Sequence, residues 1–344
     1  MTISRLFVTI CLLMTIMLPA SVSAADDVTG TQDQVLHRSE PDQVFFIVYV
    51  MDVTEINVQQ QSFGVNMAVR LRWKDERLAH SDPASRTMLL EDVWNPMLLV
   101  ANQQDRIWTS LPDMVEVEPD GTVRYLQRYV GPIAQPLRLS KFPQDSHRFT
   151  VQFVSAGHRL QDLTFTPDTA DRSSRMIGGG MAEKLSLPDW RILDFAAETR
   201  ALVLTADLEV PGFTFTFTAQ RYFRYYLWQM IVPQILIVMM SWGAFWINPS
   251  MASTQIGLAT SSMLTLIAHR FLLATQLPKL PYLTRLDYFI MLNTLLVFAV
   301  LVEVFVTSSL AQGGRTELGL KVDRWCRFMF PVIFGCILAF SFWI

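Results

Sequence analysis

Through the middle of this chain apolar and polar residues alternate, and past residue 221 they give way to four long apolar runs. Stretches rich in β-branched and aromatic residues at 44–50, 66–73, 122–130, 148–154, 202–210 and 213–217 are separated by Pro, Gly and Asp, the pattern of short strands joined by turns. Phe213, Phe215 and Phe217 alternate with Thr214 and Thr216, which predicts one apolar and one hydroxyl face. Strands of this length with turn signals and no helical period predict an all-β, immunoglobulin-like sandwich of two sheets. The polar stretch 168–184, with Gly178, Gly179 and Gly180 in a row, reads as a loop.

The apolar runs lie at about 225–247, 253–276, 286–310 and 325–344, each near the roughly 20 helical residues that cross a bilayer. They predict an all-α membrane domain of four helices. The first is interrupted at Pro233, whose freed carbonyl a neighbouring helix can satisfy. The third carries one acid, Glu303, for which a proton or ion site is the alternative and a structural hydrogen bond to an adjacent helix the favoured reading. The second is a poor lipid helix. Ser253, Thr254, Gln255, Gly257, Thr260, Ser261, Ser262 and Thr265 are small or polar. Steps at helical spacing from Gly257 meet Ser261, Leu264, Ala268, Phe271 and Thr275. Two readings fit that face. Several copies line a water path with Leu264 as its dry constriction, or the helix is buried in a bundle through its small residues.

The 344 residues are 51% hydrophobic with a mean hydropathy of +0.28 and a net charge of −3, so there is no basic footprint for nucleic acid. Arg5, the apolar run 6–18 and Val22-Ser23-Ala24 read as a signal peptide over 1–24. The domain plan is then a signal at 1–24, an exported sandwich at 25–220 and a membrane domain at 221–344. Four crossings after export put the third connection, 311–323, on the cytoplasmic side. Cys326 and Cys336 lie in the last apolar run, and the exported part has no cysteine to build a disulfide framework. No phosphate-binding glycine loop, nucleophile elbow or Cys-x-x-Cys occurs. His37, His80, His147, His158 and His269 lack metal-ligand spacing. The reading is no enzyme, no metal site and no cofactor.

Several short motifs occur in order. They are Trp73-Lys-Asp75-Glu-Arg77-Leu78, Trp94-Asn-Pro96, Phe142-Pro143-Gln-Asp145, Ser155-Ala-Gly157 and Arg221 followed by Tyr225-Tyr226-Leu227 and Pro233. Ser241-Trp242, Phe245-Trp246-Ile247-Asn248, Ile256-Gly257-Leu258, Met263-Leu264-Thr265 and Leu277-Pro278-Lys279 complete the series. In this order and spacing the chain resembles the pentameric ligand-gated ion channels, the superfamily of nicotinic, glycine and GABA-A receptors and their bacterial relatives. Gln135 and Phe149 stand where the eukaryotic members carry the loop disulfide, and no folded cytoplasmic domain follows the third helix. Both departures resemble the bacterial type.

The resemblance implies a homopentamer in a bacterial inner membrane, with the sandwich on the periplasmic side as the ligand-binding domain. It implies a pore lined by Ser253, Thr254, Gly257, Ser261, Leu264, Ala268, Phe271 and Thr275, with Leu264 as the gate. Asp145 would pair with Arg221, and Phe142, Pro143 and Pro281 would join them in coupling the domains. The hairpin at 55–61 and the loop at 276–284 complete that junction. The pocket between subunits lacks the aromatics of an amine cage, since Ala156 replaces one and the capping loop at 198–207 has none. Arg70, Arg124 and His158 are the candidate ligand contacts, for a small ligand, a proton or a divalent ion. Inorganic ions permeate, and the bacterial build favours cations. An anion channel of the same family and a non-conducting membrane-anchored sensor are the alternatives.

Overall fold

The computed structural model describes residues 42–169, 178–205, 208–274 and 280–343. The expected signal at 1–24, Thr275 and part of the loop at 168–184 lie outside them. Fourteen strands precede the helices: β1 (Asp42–Asn57), β2 (Ser62–Lys74), β3 (Arg86–Leu89), β4 (Leu98–Val100), β5 (Trp108–Thr109), β6 (Met114–Val117), β7 (Thr122–Ala134), β8 (Ser146–Ser155), β9 (Leu163–Pro167), β10 (Gly179–Met181), β11 (Trp190–Thr199), β12 (Leu202–Thr205), β13 (Leu208–Val210) and β14 (Gly212–Arg221). One sheet runs β10-β1-β2-β7-β6-β3, with β9 on β1 and β5 on β7; the other runs β11-β14-β8-β4. The two layers form the sandwich that the alternation predicts.

Every second residue of the long strands is sealed inside: Val44, Phe46, Val48 and Val50 of β1, and Val65, Met67, Val69 and Leu71 of β2. On β14 the hydroxyl face is buried as well as the apolar one. Side chains of the flanking strands close over it: Arg148 Nη2 of β8 donates to Thr216 Oγ1 at 3.3 Å. Within 202–210, β12 and β13 pair antiparallel, and of the three glycines expected in a loop Gly179 and Gly180 lie in β10 beside β1. Gly121, at φ +83°, has no room for a side chain: a Cβ there would lie 2.5 Å from the Asp75 carbonyl oxygen.

Among the described residues, four helices are long and apolar enough to cross a membrane: α1 (Phe223–Trp246), α2 (Ala252–Ala274), α3 (Arg285–Gln312) and α4 (Thr316–Trp343). Helix α1 widens to a π turn over Leu227–Ile231 just ahead of Pro233. The Met230 carbonyl in that turn accepts a hydrogen bond from His269 Nε2 of α2 at 3.1 Å, so a neighbouring helix does serve the backbone loosened near the proline. Thr284 and Asp287 form a capping box that starts α3. The last helix begins at Thr316, well before the 325 read from hydropathy, and the third connection shrinks to 313–315. Its early turns are amphipathic, burying Gly319 and Asp323 and exposing Leu318 and Val322, a pattern that a search for continuous apolar runs passes over.

Phe213 sits at the centre of the sandwich, stacked on Phe46 at 4.1 Å and on Phe153 at 4.7 Å, with Phe165 edge-on at 5.0 Å. Phe213→Ala is expected to cost about 3–5 kcal/mol. Thermal unfolding of the detergent-solubilised protein should fall by roughly 10 °C, while Leu126→Ala on the exposed face leaves it unchanged.

Candidate functional site

The last strand of the sandwich and the first membrane helix share one continuous stretch of backbone, and Arg221 stands at the change. It is buried with Asp145. Its Nε and Nη2 donate to the two carboxylate oxygens of Asp145 at 2.9 and 3.2 Å, and its Nη1 donates to the Tyr226 hydroxyl at 3.0 Å. The guanidinium carbon lies 4.1 Å from the Trp190 ring centre, 5.1 Å from Phe142 and 5.4 Å from Tyr226. His147 Nε2 reaches Asp145 Oδ2 at 2.7 Å. A buried charge is tolerable only when paired and fully hydrogen-bonded, and this guanidinium has a bidentate carboxylate, a phenol and three aromatic faces.

Burial alone would raise the Asp145 carboxyl, but hydrogen bonds from His147 and Arg221 outweigh it and hold the group below the ordinary carboxylate value. A depressed acid contributes stability above its unfolded value, near 3.8, and loses it only as pH falls through the lower folded value. The clasp thus survives mild acid.

Three loops converge beneath it. The β1–β2 turn supplies Gln61, whose backbone carbonyl accepts from Gln135 N at 2.7 Å and whose Oε1 accepts from Leu137 N at 2.6 Å. The loop before β8 carries Phe142 and Pro143, joined by a cis peptide bond. Arg285 N donates to Ser140 O at 3.1 Å, Leu286 N donates to Phe142 O at 3.3 Å, and Leu139 N donates to the Tyr282 hydroxyl at 3.0 Å. Pro281 lies in the same segment, before α3, and is exposed. Where relatives with a disulfide would join Gln135 to Phe149, Gln135 Oε1 accepts from Thr150 N at 3.1 Å. One hydrogen bond closes the neck of the loop.

The structure thus brings together Asp145, Arg221, Phe142 and the segment holding Pro281, as read from the sequence. His147, Trp190 and Tyr226 were missed as parts of the cluster. One signal was available: His147 follows Asp145 by two, the spacing that puts side chains on one side of extended chain.

The candidate ligand contacts fall in two places on one protomer. Arg70 and Arg124 line a cleft of about 400 Å³ with Thr87, Glu116 and Tyr125, and Arg124 is paired with Glu118 at 2.8 Å. His158 lies elsewhere, 5.2 Å from Trp94 between ring centres. Ser155 Oγ donates to Pro96 O at 2.6 Å, so the 2.9 Å contact with His158 Nδ1 is made with the imidazole N–H donating. Burial pushes the His158 imidazole down, against the opposing pull of Asp162 and Asp42.

On α2, Ser253, Thr254, Gly257, Ser261, Leu264, Ala268 and Phe271 are exposed, while Gln255, Ala259, Ser262, Leu266 and Leu273 pack inward. Leu264 is 67% exposed and a Cβ at Gly257 would meet nothing within 4 Å. Arg270 is also exposed. Glu303 faces another acid, Asp323 of α4, and no N–H or hydroxyl of a neighbouring residue reaches either of its carboxylate oxygens.

A β-sandwich clasped through a buried ion pair to four membrane helices defines a multi-pass membrane receptor. Residues 31–222 match the neurotransmitter-gated ion-channel ligand binding domain, and residues 230–318 match the neurotransmitter-gated ion-channel transmembrane region. The chain belongs to this family of pentameric ligand-gated ion channels, which are not enzymes. It is 27% identical over 311 residues to a proton-gated ion channel of Gloeobacter violaceus, covering 88% of this chain and 84% of that one. It is also 27% identical over 270 residues to the gamma-aminobutyric acid receptor subunit beta-4 of Gallus gallus, covering 76% of this chain and 54% of that subunit.

Arg221→Ala, which strands a buried carboxylate beside His147, is expected to destabilise by about 3–5 kcal/mol. Asp145→Asn keeps some of the hydrogen bonds and should cost less. Thermal melts of the two purified variants check the order; equal, small effects would count against a closed ion pair.

Proposed function

We propose that the protein is a homopentameric, cation-selective channel of the bacterial inner membrane. In this reading the sandwich is exported behind the signal at 1–24, α2 lines the pore and a ring of Leu264 shuts it. The observation that carries the reading is the direction in which α2 presents its residues. Its small and hydroxylated stripe points away from its own protomer, while its other side packs inward. A hydroxyl row at membrane depth is stable when it faces protein or water, and five copies turned toward one axis enclose water. The exposed leucine partway along makes the constriction that dewets.

Binding in the sandwich shifts the closed–open equilibrium through the junction. Asp145 and Arg221 keep β14 and α1 moving as one piece, and Phe142, Pro143 and Pro281 pass the movement to the α2–α3 end. The cation reading follows the bacterial build, including the absent loop disulfide. The similarity to an avian gamma-aminobutyric acid receptor subunit supports the second reading, an anion channel, and the uncharged stripe imposes neither sign.

Acid is the stimulus on this reading, in line with the proton-gated relative. His158 is the sensor beside the Trp94 motif, with Arg70 and Arg124 contributing from the adjacent subunit. In the conformation described here, burial disfavours the charged form of its imidazole. Acidification below its ordinary value, 6.5, therefore disfavours this conformation relative to one that exposes the ring.

Two measurements in planar bilayers test the reading. Leu264→Ser should conduct without stimulus, because a hydroxyl ring stays wetted; a variant that closes like the parent would remove Leu264 as the gate. His158→Gln should flatten the pH–activation curve, and an unshifted curve would remove His158 as the sensor. Reversal potentials in asymmetric salt decide between cations and anions.

A further inference from the structure

At the end of the helical bundle far from the sandwich, two acids meet inside the protein. Glu303 of α3 and Asp323 of α4 each lie about 10–14 Å along the helix from the short connection that joins them, at 1.5 Å rise per residue. Asp323 is fully buried. All four carboxylate oxygens of the pair are sealed from solvent, and none has a hydrogen-bond donor. The Asp323 carboxyl faces Glu303, Arg327 and Gln255.

The Gln255 amide and the Arg327 Nε are engaged elsewhere. The Gln255 Nε2 amide donates to Ala244 O at 3.1 Å and to Ile247 O at 3.0 Å. Arg327 Nε donates to Phe245 O at 2.9 Å, and its guanidinium lies 4.8 Å from the Trp246 ring centre. The Ser308 hydroxyl turns to Gln255 Oε1 at 3.5 Å. Among the described residues, the charged or titratable groups facing the pair are Arg327 and Cys326, both of α4. Helix α2 and the end of α1 offer the neutral Gln255 amide and backbone carbonyls.

Two carboxylates set against each other are acceptor against acceptor, a contact that repels if both are ionised. Removing two unpartnered carboxylates from water costs several kcal/mol each. Two negative charges against one guanidinium leave one negative charge in the bundle, and one proton removes it. That proton also supplies the missing donor, converting the repulsive contact into an O–H···O⁻ bond, a strong class of hydrogen bond.

We propose that Glu303 and Asp323 form a proton-binding site that holds a single shared proton between α3 and α4. Bound, the proton draws α4 onto α3 and leaves Gln255 free to hold the base of α2 against the end of α1. When it leaves, the second charge forces the two helices apart or admits water, and the support under α2 changes. The site responds to the solution on the side away from the sandwich and is separate from the Asp145 clasp. It does not depend on α2 lining a pore.

Infrared spectroscopy of the purified full-length protein in lipid nanodiscs tests it. The wild type should show the C=O stretch of a protonated carboxyl at pH 7 that disappears on alkaline titration. Glu303→Gln and Asp323→Asn each give the remaining carboxylate an amide N–H donor, so each should assemble normally by size exclusion and lack the band. The site is overturned if the wild type has no such band at pH 7, or if the band survives in either variant. It is equally overturned if adding calcium or potassium chloride at constant pH removes the band, since a metal cation would then be the occupant. Should one variant fail to assemble, the other and the wild-type titration still decide.

Discussion

A cation buried at the meeting of two structural media governs this protein. Arg221 ends a strand whose hydrogen bonds run to its neighbours, and just beyond it a helix begins whose hydrogen bonds are its own. Such a junction cannot be fixed by either ladder. It is fixed by side chains: Asp145 holds Arg221 at the strand end with a bidentate pair, and Arg221 Nη1 reaches the Tyr226 hydroxyl in the first helical turn. The aromatic box of Trp190, Phe142 and Tyr226 excludes water from the pair. Inside that box the electrostatic attraction is stronger than at a surface, and loss of either partner is correspondingly severe.

The loops around the pair inherit its rigidity. Phe142 touches Arg221 and Tyr226 through its ring, and through its carbonyl it receives the first turn of α3. The β1–β2 turn is tied to the strand end before this loop by Gln61. Hydrogen bonds about 3 Å long thus tie the β1–β2 turn to the segment 135–137, and the loop at 139–142 to the start of α3. The hydrogen bond from Thr150 to Gln135 at the loop neck does without oxidising chemistry what a disulfide does elsewhere.

Acid groups at the two ends of the membrane domain behave in opposite ways. Asp145 has donors on both oxygens and stays charged while buried. The Glu303 and Asp323 carboxyls have none. The difference lies in what each acid faces: a guanidinium and an imidazole in one case, a second acid in the other. The same residue type is a charged clasp in one surrounding and the proposed holder of a shared proton in the other.

Much of this was legible in the residues. Alternation gave the long strands because burial of one sheet face repeats every second residue, and length with apolarity gave the four spans because the bilayer sets both. The motifs around Phe142, Asp145 and Arg221 located the junction. The sequence alone could not show that β14 is central and its threonines buried, since that depends on which strands flank it. Nor could it show that α4 starts at Thr316, because its first turns are amphipathic and only the packing against α3 makes them part of the span. Glu303 and Asp323 meet from two different helices, and Trp190 joins Arg221 from a distant strand. What the sequence determined was local periodicity and the order of elements; the tertiary structure alone decided which polar groups meet, because a side chain's charge state and hydrogen bonds depend on its neighbours in space.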